Sequence, residues 1–99
     1  MKLEVNSVYT FKLNSGEELI SKVLGVDGDE VLIHDPLSVA PGPQGMGLMP
    51  GLFTAEPKAE VRLNTKNIAF YALTEAGVKA KYIEATTGLK IPSKKLITG

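Results

Sequence analysis

The stretch VYTFKLNSG (8–16), followed by EELISKVLGVDGDEVLIHD (17–35), decides the fold. Its first part alternates Tyr9, Phe11 and Leu13 with polar residues, and a period of two is typical of a half-buried β-strand. Residues 14–16 form a turn, residues 18–26 form a second alternating run, and the Asp-Gly pair at 27–28 signals a tight hairpin. A third strand covers 31–34. We predict that it ends at Asp35, because Pro36 cannot donate a hydrogen bond to a sheet.

Residues 36–58 have a different composition and are predicted to form a loop. The eleven residues 41–51 contain three prolines and four glycines, which excludes a regular helix. They and the next two residues also carry five large apolar side chains: Met46, Leu48, Met49, Leu52 and Phe53. A disordered linker would contain fewer of these. The segment 41–53 is therefore expected to be ordered and to pack either on its own barrel or on a neighbouring subunit or partner protein.

The rest of the chain predicts two more strands and a helix. Residues 59–63 alternate again, residues 64–66 form a turn, and the fifth strand at 67–73 is apolar on both faces, which is typical of a strand covered on both sides. Thr74 is expected to cap a helix that ends at Gly88, before a basic tail. The prediction is one domain over 1–99, all-β with a terminal helix. It is a small, strongly bent, five-stranded antiparallel barrel over about 8–73, with the helix and tail over 74–99.

The composition excludes several classes of protein. Cysteine is absent, so neither a disulfide nor a thiolate metal site can form. The N-terminus lacks the apolar segment of a signal peptide, and no apolar run approaches the ~20 residues of a membrane span, so we expect a cytoplasmic protein with no membrane contact. The net charge is zero, which argues against strong non-specific DNA binding.

The charge is distributed unevenly along the chain. Residues 1–60 hold four lysines and nine acidic residues, whereas residues 61–99 hold seven basic and two acidic residues. The basic part is either a solvated tail or a face for a polyanion.

The residue types and their spacing do not favour catalysis. His34 is the only histidine, and Asp35 beside it is expected to point to the opposite face of the strand, so the two cannot pair as a base and its orienting group without a distortion of the strand. No cysteine nucleophile exists, and no other histidine could activate a serine. The acidic turn of Asp27, Asp29 and Glu30 lacks the ligand spacing of a calcium loop. We therefore predict no enzyme, no catalytic residue, no metal site and no cofactor.

The order of these motifs resembles the Sm-like family, whose domain is a small SH3-type barrel. Residues 11–35 resemble the first Sm motif, with an apolar strand, a turn at Gly16, a long strand, an Asp turn at Asp27 and an apolar strand ending in an acid. Residues 61–71, VRLNTKNIAFY, resemble the second motif, with Asn64-Thr65 in place of its Arg-Gly. The segments 47–50 and 81–89 are similar to those of Sm-like proteins encoded by marine phages.

The resemblance implies a homo-oligomeric ring of five to seven subunits, in which the last strand of one subunit pairs with the fourth strand of the next. The subunit interface would contain Val61, Leu63, Ile68, Phe70 and Tyr71. The resemblance also implies single-stranded RNA binding, for which the corresponding residues would be Asp27, Arg62, Asn64 and Lys66.

Two functions stay open at this point. One is an RNA-binding ring or RNA-processing accessory. The other is a structural or assembly protein of a phage, cytoplasmic in the host cell, which uses the ring as a scaffold and docks a protein through 41–53.

Overall fold

The computed structural model describes residues 1–43 and 45–88, and the predicted basic tail at 89–99 lies outside them. The protein is mostly β with one C-terminal helix, as the sequence predicts. The strands are β1 (Val8–Leu13), β2 (Glu18–Asp27), β3 (Glu30–Gly42), β4 (Gly45–Pro50), β5 (Glu60–Asn64) and β6 (Ile68–Leu73), and the helix is α1 (Ala76–Thr87). One turn of 3-10 helix, Thr65–Asn67, joins β5 to β6.

The sheet is antiparallel, and within the described residues β4, β5 and β6 each have one edge without a partner strand. Its order is β4-β3-β2-β1-β6, and β5 pairs with β3. β5 lies against the first part of β3, from Glu30 to His34, and β4 lies against the second part, from Leu37 to Gly42. The two strands therefore follow each other along one edge of β3. Within the described residues β5 and β6 do not pair with each other, so the barrel is open between them.

β2 lies between two hydrophobic clusters because neighbouring elements cover both of its faces. The barrel cluster consists of Tyr9, Phe11, Leu19, Val23, Val31 and Ile33. The helix cluster consists of Val8, Ile20 and Tyr82, with side chains of α1 and β4 packed against it. The alternation predicted for β1 is confirmed, since Tyr9 and Phe11 enter the barrel cluster and Val8 enters the helix cluster.

The third strand does not end at Asp35, and the prediction of its end is wrong. β3 continues to Gly42. Asp35 has a positive φ of 55°, and the register shifts at this point, because Lys22 pairs with His34 whereas Ile20 pairs with Leu37. Asp35 and Pro36 form a bulge, in which Pro36 has no ladder partner and needs no N–H. Pro36 thus marks a bend in β3, which pairs with β5 before this residue and with β4 after it.

The segment 36–58, predicted as a loop, contains the end of β3 and all of β4, so the sheet has six strands instead of five. The two strands form a hairpin in which Gly42 pairs with Gly45, whose φ of 106° is readily available to glycine. The many glycines and prolines hide this hairpin because they interrupt the alternation of apolar and polar residues. Leu48 packs against the helix cluster, whereas Met46 and Met49 are exposed.

α1 begins one residue later than predicted. The carboxylate of Glu75 accepts a hydrogen bond from the Val78 N–H (2.9 Å) and caps the helix, while the hydroxyl groups of Thr74 and Thr10 are hydrogen-bonded to each other (2.9 Å). The predicted end is confirmed, because Gly88 has a φ of 76° at the C-cap. No helix among the described residues is long and apolar enough to cross a membrane.

Tyr82 fixes α1 to the sheet at the bulge. Its side chain is 3% exposed. Its hydroxyl accepts a hydrogen bond from the Lys22 N–H (3.0 Å) and donates to the carbonyl oxygens of His34 and Asp35, which lie at 2.8 and 2.9 Å. Burial raises the pKa of Tyr82, and the hydrogen bond from Lys22 opposes this rise only in part.

We expect Tyr82→Phe to lower the free energy of unfolding by about 1–3 kcal/mol, because it leaves the Lys22 N–H without its acceptor while the ring stays in place. Urea unfolding measures the loss. Tyr71→Phe is the matched control, since the Tyr71 side chain is 36% exposed and its hydroxyl forms no hydrogen bond within the described residues. The control should change the free energy of unfolding by less than about 0.5 kcal/mol. An equal loss in both variants would contradict the role of Tyr82.

The raised pKa adds a pH dependence to this prediction. A tyrosine whose pKa is higher in the folded than in the unfolded chain contributes stability below the unfolded value of about 10, and this contribution is lost as the pH rises through the folded pKa. Tyr82→Phe should therefore weaken the fall in stability above about pH 10, whereas Tyr71→Phe should preserve it.

Candidate functional site

The structure brings the four predicted RNA-contacting residues to one corner of the barrel. Pairing of β5 with β3 places Arg62 opposite Leu32 and Asn64 opposite Glu30. Asp27 is reached through the turn that joins β2 to β3, and Lys66 follows Asn64 in the 3-10 turn. The corner is therefore built by two chain connections that meet at the same end of the sheet.

The Arg62 guanidinium already forms ion pairs with carboxylates of the same chain. Its Nη1 lies 3.0 Å from Glu30 Oε1 and 3.5 Å from Asp27 Oδ2, and its Nη2 lies 3.5 Å from Glu60 Oε2. The hydrogen bond with Glu30 is the main reason why the pKa of Arg62 is raised above its usual value. Arginine is charged at physiological pH in any case, so the raised pKa does not change its charge, and the ion pairs matter because they fix the direction of its N–H groups. Its N–H groups point at carboxylates and its charge is offset by them.

The side-chain amide of Asn64 and the backbone of Lys66 form hydrogen bonds that hold the 3-10 turn between β5 and β6. The Asn64 side-chain oxygen accepts a hydrogen bond from the Lys66 N–H (2.9 Å), and the Asn14 amide donates to the Lys66 carbonyl (2.7 Å). The Thr65 N–H donates to the Asp29 carbonyl (2.8 Å). The Lys66 side chain is exposed and forms no ion pair within the described residues, so its ammonium group can reach a ligand.

Glu60 is a member of this corner that the sequence interpretation missed. The signal for it was present, because Glu60 and Arg62 are two residues apart on one strand and so share a face. Three carboxylates, those of Asp27, Glu30 and Glu60, lie within 3.5 Å of the Arg62 guanidinium, and the turns that form the corner also contain Asp29 and Lys66. A site of this charge is poorly suited to phosphate groups.

The predicted interface residues divide into two groups along the open edges of the barrel. Val61, Leu63 and Ile68 are half-buried and pack against the barrel cluster. Phe70 is 66% exposed and Tyr71 is 36% exposed, so β6 is not covered on both faces within the subunit. Tyr71 faces inward, with its ring centroid 6.2 Å from that of Tyr9.

A small apolar cavity of about 240 Å³ opens beside β5. Leu19, Ile33, Val61 and Leu63 line it from the barrel, and Leu52 lines it from the segment after β4. The inward face of β5 therefore borders an unfilled apolar space, which a side chain from outside the subunit could occupy.

His34 and Asp35 pair, because the strand has at Asp35 the distortion that such a pair requires. The His34 Nδ1 lies 3.1 Å from the Asp35 Oδ2, and the Lys58 Nζ lies at the same distance from this oxygen. The positive φ of Asp35 breaks the alternation of the strand and turns both side chains to one side. The Ser21 hydroxyl nearby is fully buried and donates to the His34 carbonyl (2.9 Å), so it is not available as a nucleophile.

The side chains of the described residues do not assemble a metal centre, since they contain no group of three or more His, Cys, Asp or Glu placed to hold an ion. Comparison of the sequence with protein-family models gives no match. Comparison with curated proteins gives no match either.

Proposed function

We propose that the protein is an Sm-like subunit that assembles into a homo-oligomeric ring of five to seven copies and serves there as a docking scaffold for another protein. The observation that carries the proposal is that β5, beside β3, and β6, beside β1, each have an open edge on opposite sides of one bent sheet. Unpaired edges leave backbone N–H and C=O groups without partners. Head-to-tail pairing of β6 with β5 of the next copy satisfies both edges of every subunit only when the ring closes.

The side chains of the two edges support this pairing. Val61 and Leu63 on β5 face the barrel cluster. On β6, Tyr71 pairs with Phe11 and Leu73 with Tyr9, so these side chains point towards the same interior layer. Leu73 is 60% exposed in the single subunit. Placing β6 beside β5 of the next copy would continue the apolar layer across the interface and would offer an occupant for the cavity beside β5.

The ring itself is tested by sedimentation velocity of the full chain at micromolar concentration. The expected species has five to seven times the subunit mass of 10.6 kDa. A single species at the subunit mass would contradict the proposal.

The docking role is supported by the hairpin and the segment after it. Met46, Met49, Leu52 and Phe53 are 63%, 44%, 51% and 76% exposed. Flexible methionines together with an aromatic residue are typical of protein-binding surfaces. A ring would repeat this surface once per subunit, which raises the avidity for a partner that has several copies of its own.

Single-stranded RNA binding is the second candidate, and the convergence of Asp27, Arg62, Asn64 and Lys66 at one corner favours it. The carboxylates around Arg62 mean that affinity would rest on Lys66 and therefore on phosphate contacts. Such contacts release counterions, so binding would be weak and would fall steeply with salt.

We expect Lys66→Ala to weaken any binding of A-rich or U-rich oligoribonucleotides at least severalfold at low salt, because each subunit of the ring loses one exposed cation. Fluorescence anisotropy at two salt concentrations measures the affinity and its salt dependence. Lys81→Ala is the control, since Lys81 is also exposed but lies on α1. A variant without residues 89–99 shows whether the basic tail, and not Lys66, carries the binding. If the parent protein binds no oligonucleotide at low salt, the RNA candidate fails and the scaffold function stands alone.

A further inference from the structure

A groove between α1 and the bulge of β3 has the form of a ligand site. Its volume is about 430 Å³, which lies within the range of small-molecule sites. It is lined by β2, β3 and α1 of one subunit, away from the open edges β5 and β6, so the inference does not depend on the ring.

Backbone strain is concentrated around this groove. Asn6, Asp35 and Lys58 have φ values of 72°, 55° and 64°, and they are the non-glycine residues of positive φ in the described part of the chain. All three line the groove. Left-handed backbone is unfavourable for residues other than glycine, and such residues cluster at binding sites where the surrounding structure holds them. The Lys58 Nζ contributes to this hold by contacting the Asp35 carboxylate (3.1 Å) and the Thr86 carbonyl (2.8 Å).

The charges that face the groove have an excess of cations. Among the residues that the structure describes, Asp35 is the only acid that lines the groove, and the Lys58 ammonium lies against it. Lys22 from β2 and Lys79 from α1 also line the groove, and neither forms an ion pair within the described residues. His34 and the Tyr82 hydroxyl complete the titratable groups. Two lysines from different elements thus line one groove, and neither has an ion-pair partner within the described residues.

Apolar side chains supply the remainder of the lining. Val8 lies on the sheet side and Ile83 on the helix side, where the Tyr82 ring is almost fully buried. A ligand that matches the groove therefore has an apolar body and an anionic end. A phosphate monoester has up to two negative charges near neutral pH and matches two unpaired ammonium groups better than a monoanion does.

We propose that this groove binds a small phosphate monoester with an apolar body. Phenyl phosphate is the probe, because it combines the two features in a small molecule. Inorganic phosphate lacks the apolar body and phenol lacks the charge. A short oligonucleotide, whose internal phosphates are diesters with one charge each, tests whether the groove binds the phosphates of a nucleic acid instead.

The experiment follows amide shifts in two-dimensional NMR spectra of the full chain during titration with each probe. We expect phenyl phosphate to shift the amides of Asn6, His34 and Tyr82 and to bind at least tenfold more tightly than either inorganic phosphate or phenol. Lys22→Met and Lys79→Met should each weaken it about tenfold. Lys81→Met is the matched control on the same helix and should leave the affinity unchanged, because Lys81 does not line the groove.

Three results would overturn the proposal. The first is an equal loss of affinity in Lys81→Met and Lys79→Met, which would mean general attraction to surface charge. The second is equal affinity for phenyl phosphate and phenol, which would mean that the ammonium groups play no role. The third is binding of the oligonucleotide, but not of phenyl phosphate, through Lys22 and Lys79, which would assign the groove to nucleic acid.

Discussion

Replacing Phe70 with glutamate is expected to convert the proposed ring into folded monomers. Phe70 is 66% exposed in the subunit, so a glutamate is tolerated there as long as the edge of β6 stays in water. In the proposed ring the same position would lie beside β5 of the next copy, where the carboxylate would lose hydration at a cost of several kcal/mol, and Lys12 opposite it on β1 would offset part of this cost. A cost of about 3 kcal/mol at each interface weakens that contact by more than about 100-fold.

The measurement is sedimentation velocity together with circular dichroism of the β-sheet signal. Phe53→Glu is the matched control, because Phe53 is 76% exposed and lies between β4 and β5, on neither open edge. It should leave the ring intact. Equal dissociation in both variants, or a ring that persists in Phe70→Glu, would contradict pairing through β6.

A second large effect is expected from shortening two equally buried isoleucines on opposite sides of the sheet. Ile33 belongs to the barrel cluster and Ile20 to the helix cluster, and each is 1% exposed. Either substitution by alanine should remove about 2–5 kcal/mol of packing, a large part of the ~5–15 kcal/mol that stabilises a domain. Ile33→Ala should lower the stability of the whole barrel, because the Ile33 side chain packs in the barrel cluster with residues of β1, β2 and β3.

Ile20→Ala should act first on α1. The helix is held by the small helix cluster and by the hydroxyl of Tyr82, so its docking is weaker than the barrel and can open separately. Hydrogen exchange distinguishes the two variants: amides of α1 should lose protection in Ile20→Ala while amides of β1 and β2 keep theirs. Unchanged protection of α1 in Ile20→Ala would show that this cluster does not hold the helix.

The two candidate functions, RNA binding and protein docking, place different requirements on the carboxylates that surround Arg62. For RNA, Arg62 would have to leave Glu30 and its other carboxylates. For a protein scaffold, the same ion pairs can stay in place and stiffen the end of the barrel, and the exposed methionines of the hairpin provide the contact surface. The ion pairs of Arg62 are therefore the reason why the scaffold is the better supported of the two.

The sequence by itself determined the parts of this protein that depend on neighbouring residues. The alternation of Tyr9 and Phe11 placed them in the barrel cluster, the Asp-Gly turn placed β2 beside β3, and Gly88 ended the helix. These features follow from the period of the side chains or from the φ range of one residue. Asp27 belongs to the first motif of the family resemblance and Arg62 and Asn64 to the second, and only the pairing of β5 with β3 brings the two motifs together.

The tertiary structure alone decided the features that depend on contacts between distant segments. β4 has little alternation and is a strand because the outer edge of β3 beyond the bulge accepts it. Asp35 pairs with His34 because the bulge reverses its direction, and Lys58 joins them from 23 residues further along the chain. Arg62 is paired with Glu30 because the register of β5 on β3 places Glu30 diagonally across from it, two residues from its partner Leu32. The register of the whole sheet decides where a backbone bulge and a cross-strand ion pair form. The sequence does not predict that register where glycines and prolines interrupt the alternation of apolar and polar residues.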